Sequence, residues 1–236
     1  MKRISGYAAF LLLLTGMLSY QIATAQSVSN AKQRQDDKKG LAAANAGVAD
    51  DRRDLDRLSD LVMRWDHLMK AGRDGAALQH VEEQIAEELR RDLRETAIQV
   101  QKAEHEVKQS TAEVRGSRRE VRREAHDGDQ NQRALRDDRR DLRDDRRDRR
   151  DEVRDANKAE DILARKREIA KEMIALQKRI DADKSADPVL QAKKRSLLSD
   201  YLALSREEIQ LGLREAAEDT RELKEDRRET REDRKQ

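Results

Sequence analysis

Residues 55–78 read LDRLSDLVMRWDHLMKAGRDGAAL. Leu55, Leu58, Val62, Trp65 and Met69 recur at spacings of 3, 4, 3 and 4, which places all five on one stripe of an α-helix. Gly72-Arg73-Asp74-Gly75 then interrupts the pattern, and two glycines within four residues predict a turn. Beyond it an apolar stripe resumes at Leu78 and continues through Val81, Ile85, Leu89, Leu93, Val100, Val107, Val114 and Val121, the last four at intervals of seven. A break this short forces the two helices to fold back antiparallel. The spacing therefore predicts a helical hairpin over 50–126.

Working outward, His126-Asp127-Gly128-Asp129-Gln130 is the next break, and 127–132 is read as a hinge. A third helix is expected from about Gln132, carrying Leu135, Leu142, Ile162, Ile169, Met173, Leu176 and Ile180. Asp187 and Pro188 supply an N-cap and a first-turn proline for a fourth helix. That helix bears Leu190, Leu197, Tyr201, Leu204 and Leu211, and it becomes a nearly pure charged arm from Glu218 to Gln236. Residues 133–236 thus form a second hairpin. The expected fold class is all-α, an elongated pair of tandem antiparallel hairpins of coiled-coil type.

Composition agrees with this and excludes much else. The 236 residues include one Pro, nine Gly, no Cys, 2% aromatics and 43% charged side chains. One Trp, one Phe and three Tyr are too few to fill an ordinary two-layer core. Scarce Pro and Gly with abundant Ala, Leu, Glu, Lys and Arg fit long helices better than disorder.

The N-terminus carries an address. Lys2 and Arg3 precede an apolar run from Tyr7 to Leu18, and Ala23-Thr24-Ala25 is the small-x-small pattern of a signal peptidase site. A signal peptide over 1–25, cleaved before Gln26, is expected, with export to the periplasm or beyond. The apolar run falls short of the roughly 20 residues that span a bilayer, so no transmembrane segment is expected in the mature chain. Cleavage removes two cations from 52, leaving fifty basic and fifty acidic residues. No global attraction to nucleic acid or anionic membranes follows from that balance. Residues 26–49 lack an apolar period and are expected as a flexible polar linker or a weakly helical lead-in.

The halves match each other. Thr111, Glu113, Val114, Arg115, Arg118, Arg119, Glu120, Arg122 and Glu124 correspond to Thr220, Glu222, Leu223, Lys224, Arg227, Arg228, Glu229, Arg231 and Asp233 at an offset of 109. Leu61, Trp65 and Leu68 meet Ile169, Met173 and Leu176 at 108. An internal duplication is inferred.

Arg136 to Arg149 forms two near-identical heptads that stack like charges into stripes, with Leu135 and Leu142 on the border between them. Such a helix gains from a partner with the opposite stripe. The expectation is either parallel self-association at the Leu142 seam or an intramolecular partner. Arg115, Arg118, Arg119, Arg122 and Arg123 form a local basic cluster suited to phosphate or carboxylate. Trp65, at its hairpin spacing, is expected in the core.

Nothing points to catalysis. His67, His80, His105 and His126 lack a repeated ligand spacing, so no metal site is expected, and no Gly-rich phosphate loop or nucleophile context appears, so no cofactor is expected. Three functions compete: an exported helical scaffold or spacer acting through protein partners or homo-oligomers, an ATP-independent holdase chaperone, and an anion or metal buffer. Met69-Lys70-Ala71-Gly72 is similar to a turn in the trimeric tentacled holdase family, and this resemblance implies client binding at a hairpin tip. That family's trimerising strand body has no counterpart here, and the Leu-Thr-x-x-Gln motif of the cradle-shaped chaperones is absent.

Overall fold

A computed structural model describes residues 6–72, 75–126, 132–183 and 187–233. They form four α-helices: α1 (Gly6–Ala71), α2 (Gly75–His126), α3 (Gln132–Asp183) and α4 (Pro188–Asp233). Among the described residues there is no strand, and no helix is long and apolar enough to cross a membrane. The protein is all-α, built as two antiparallel hairpins in tandem.

The ends follow from local chemistry. Gly72 stands at φ +58°, the left-handed cap where only glycine is unstrained, and its N–H donates to the Met69 carbonyl at 3.4 Å. Arg73 and Asp74, and 127–131 of the expected hinge, lie outside the described residues. Asp187 caps α4 as the sequence indicates: its Oδ1 accepts from the Val189 N–H at 2.8 Å and its carbonyl from the Gln191 N–H at 3.1 Å. Residues 26–49, expected as a linker or lead-in, lie within the span of α1.

The chain divides into two compact units. One joins α1 up to Ala49 with α4 from Gly212. Here Val48, Ala216 and Leu223 are buried, and a Cβ placed on Gly212 would stand 3.0 Å from Val48 Cγ2, so the glycine permits close helix approach.

The other unit, Asp50–Leu211, takes a segment from every helix. Arg91 donates to Asp54 at 2.6 Å and Trp65 to Glu82 at 3.1 Å, fixing α1 antiparallel to α2. Lys193 pairs with Glu172 at 2.9 Å across α3 and α4, while Arg149 reaches Thr111 and Lys166 reaches Asp92 across α2 and α3. Each helix therefore runs opposite to its neighbours, giving an up-down-up-down bundle. Every apolar position read from sequence between Leu55 and Leu211 is buried or half-buried. The core joins Leu58, Leu61 and Trp65 of α1, Val81, Ile85 and Leu89 of α2, and Leu198, Tyr201 and Leu202 of α4, with Ile169 and Met173 of α3 packed against it. The hairpins thus share one core instead of each closing on itself, because a two-helix stripe alone leaves part of its apolar surface in water.

Candidate functional site

Two polar layers cross this core, each drawing one residue or more from every helix. The first is centred on Lys166 of α3, which has no exposed surface. Its Nζ donates to Asp92 Oδ2 at 2.8 Å, to Thr96 Oγ1 at 3.2 Å and to Glu208 of α4, and it lies 5.4 Å from the centre of the Tyr201 ring. The Tyr201 hydroxyl donates to Asp92 Oδ2 at 2.6 Å. From α2, Gln99 Nε2 donates to Asp51 Oδ1 of α1 at 3.2 Å.

Three carboxylates thus surround one ammonium. Burial first, then the nearby Glu208 charge, pushes the Asp51 carboxyl up to about 6, against the opposing pull of Gln99 and Lys166. Burial likewise raises Glu208, although Lys166 favours its ionised form. The Tyr201 phenol is raised well above the ordinary range by burial and by the Asp92 charge, so it remains a donor. Protonation of Asp51 as pH falls through about 6 lowers the excess negative charge of the layer.

The second layer surrounds Trp65, which is also fully buried. Its Nε1 donates to Glu82 Oε1 at 3.1 Å, and Lys194 Nζ bridges the same oxygen at 2.5 Å and Gln177 Oε1 at 2.8 Å. Lys194 Nζ and the Arg195 guanidinium lie 5.6 and 5.9 Å from the centre of the indole ring. Trp65 is therefore core, anchored by its one polar atom.

Neither layer was read from the sequence, although the signal was present. Lys166 falls between Ile162 and Ile169, and Glu208 between Leu204 and Leu211, each at the spacing of an apolar stripe. A polar residue at a stripe position marks a buried partner.

The other interaction residues singled out from the sequence lie on α2 and α3. Arg115, Arg118, Arg119, Arg122 and Arg123 are all exposed on α2, and among the described residues none of them makes an ion pair; Arg119 Nε donates to the Arg115 carbonyl at 3.2 Å. Leu135 is half-buried and Leu142 is buried at 8% exposure. The partner of the Leu142 seam is α2, lying antiparallel, with Ser117 bonded to Asp145 and Arg149 Nε donating to Thr111 Oγ1 at 2.9 Å. It meets Asp145 and Arg149 with the hydroxyl side chains of Ser117 and Thr111. Within α3 the charges instead pair at i,i+3, Asp137 with Arg140, Asp144 with Arg147 and Asp151 with Arg154. Tallying like charges at three and four residues hides this Asp-x-x-Arg repeat. His67, His80, His105 and His126 are all exposed.

The arrangement defines an antiparallel four-helix bundle with two ionic layers. No protein-family model, no curated protein and no solved structure matches the chain.

Proposed function

We propose that the protein is an exported, non-enzymatic helical scaffold whose function is to hold charged helical surfaces in fixed register. The observation that carries this is closure of the apolar stripes: Trp65, Tyr201 and Leu198 are fully buried, and among the described residues the exposed large apolar side chains Met63, Ile98, Ile174 and Val189 stand singly, one on each helix. A holdase working through amphipathic hairpins needs a contiguous open apolar patch instead. The layers around Lys166 and Trp65 add to the reading, since buried polar groups penalise any slip of one helix along another.

Export rests on Lys2 and Arg3, the apolar run Tyr7–Leu18 and Ala23-Thr24-Ala25, with cleavage before Gln26 placing the mature chain in the periplasm or outside. The discriminating experiment adds purified protein to a thermally unfolding client at substoichiometric and equimolar ratios and follows light scattering. A scaffold leaves aggregation unchanged. Suppression near equimolar ratio supports the holdase alternative.

A further inference from the structure

We propose that the facing segments of α2 and α3, residues 106–126 and 135–150, form a two-faced ribbon, basic on one face and acidic on the other, through which copies of this chain stack face to back. This deepens the scaffold reading by naming its partner as a second copy of the chain.

Burial sets the frame. On α2 the seam positions are Val100, Val107, Val114 and Val121, with Ala103, Ser110 and Ser117 three residues after the first three; on α3 they are Leu142, Arg149 and Ala156, with Asp145 and Glu152. All of these are buried or half-buried. Around the seams the two helices repeat one charge grammar. Glu113-Val114-Arg115, Arg118-Arg119-Glu120 and Arg122 on α2 correspond to Asp141-Leu142-Arg143, Arg146-Arg147-Asp148 and Arg150 on α3. In each, the acid immediately precedes the seam residue, and arginines follow it at one, four and five positions. On a helix those places are opposite flanks of the seam.

The same grammar on two antiparallel helices puts like flanks on the same side. Ser117 and Asp145, which occupy equivalent places in the two patterns, are bonded to each other. In that register Arg115 lies level with Arg146 and Arg147, and Arg122 with Arg139 and Arg140. Glu113 lies level with Asp148, and Glu120 with Asp141. The acidic side has independent support: the Glu152 carboxyl is raised by burial and also by Glu106 and Glu113 of the other helix and by Asp148 of its own.

The basic side is open to solvent. Arg115, Arg118, Arg119 and Arg122 of α2 and Arg139, Arg143, Arg146 and Arg150 of α3 are exposed. Among the described residues, Arg140 and Arg147 meet only weak exposed pairs with Asp137 and Asp144 of their own helix. Among residues 111–150 every Lys or Arg is Arg, the side chain whose planar fork grips carboxylates in pairs.

Like-charged flanks side by side destabilise an isolated hairpin, and a partner must carry the opposite sign to relieve them. A polyanion relieves the basic face and leaves the acidic one. A second copy relieves both, since its own faces repeat every seven residues, about 10.5 Å of helix, in the same spacing. The contact is heterologous and does not close on itself, so it builds stacks that grow with concentration and dissolve in salt. The apolar seam takes no part, because Leu142 is already covered within the chain.

Sedimentation velocity of the full chain at about 20 mM and about 500 mM salt tests this. At low salt the average mass should at least double as concentration rises, and at high salt it should return to monomer. The variant Arg115→Glu/Arg118→Glu/Arg119→Glu/Arg122→Glu and the variant Asp137→Lys/Asp141→Lys/Asp144→Lys/Asp148→Lys should each stay monomeric alone. Mixed in equal amounts they should form pairs, since the first keeps a wholly acidic face and the second a wholly basic one. Circular dichroism confirms that each is helical, and the salt dependence of the parent chain stands without either. A parent chain that is monomeric at every salt overturns the proposal, as does assembly unaffected by either reversal. A mass increase seen only on adding long-chain polyphosphate overturns it in favour of a polyanion partner. Those outcomes leave the closed-core scaffold standing, whereas client capture removes the scaffold and not the stacking.

Discussion

Tyr201 donates its hydroxyl to Asp92 Oδ2 at 2.6 Å, and the two residues stand 109 positions apart, the offset at which the chain matches itself between 111–124 and 220–233. In an up-down-up-down bundle α2 and α4 are diagonal and parallel, so positions at the same level of the two hairpins face each other across the axis. At this level one half supplies a carboxylate and the other a phenol, and Lys166 of α3 neutralises the carboxylate.

Removing the phenol tests that contact alone. Tyr201→Phe should lower stability by about 1–3 kcal/mol in urea unfolding, the cost of an unmade buried hydrogen bond. Lys166→Met should cost about 3–5 kcal/mol, because Asp92 and Glu208 keep buried charge without a partner. Adding Asp92→Leu and Glu208→Met to Lys166→Met should recover most of the loss. A single Lys166→Met variant as stable as the parent would mean that the layer is hydrated.

Stability should rise as pH falls from 7 towards 5. Asp51 is raised from an ordinary 3.8 to about 6 and Glu208 is raised as well, so between those values the folded chain binds more protons than the unfolded chain. A raised carboxyl favours folding at low pH, and that advantage is lost as pH climbs through the folded value. Asp51→Asn should raise stability at pH 7 by on the order of 2 kcal/mol and flatten the profile. Denaturant midpoints from pH 5 to 7 check this, and a parent profile flat over that window would contradict it.

Trp65→Ala should cost about 3–5 kcal/mol, since it empties a fully buried site and orphans Glu82. Met63→Ala, at a side chain 59% exposed two residues away on the opposite side of the helix, should change stability by less than about 0.5 kcal/mol. Equal effects in thermal unfolding would show that the stripe is not closed.

The Leu142 seam should not cross-link. Leu142→Cys, oxidised in a helical chain, should give no disulfide dimer, because that position is packed against α2. A rapid, quantitative dimer would show that α2 leaves the seam.

Much of this fold was legible because apolar spacing survives any partner. The stripes from Leu55 to Leu211, the Gly72 turn and the Asp187-Pro188 start are local signals, and the helices lie where those signals put them. The pairing of hairpins into one core was not legible, since a stripe states which face is buried and not what covers it. The ionic layers were missed for a related reason: Lys166, Asp92 and Glu208 look like surface charges until their positions are counted with the apolar residues around them. The sidedness of the α2–α3 charges needed the antiparallel register, which a single helix does not encode. It emerges only when Ser117 is seen against Asp145.

Amide hydrogen exchange along the full chain tests the central claim, that the apolar stripes are closed inside a stable bundle. The account predicts slow exchange, at a common rate set by global unfolding, for the stripe amides within 55–69, 78–100, 156–180 and 190–211. Exchange within seconds at those amides in a protein helical by circular dichroism would mean open amphipathic hairpins, and it would contradict the scaffold.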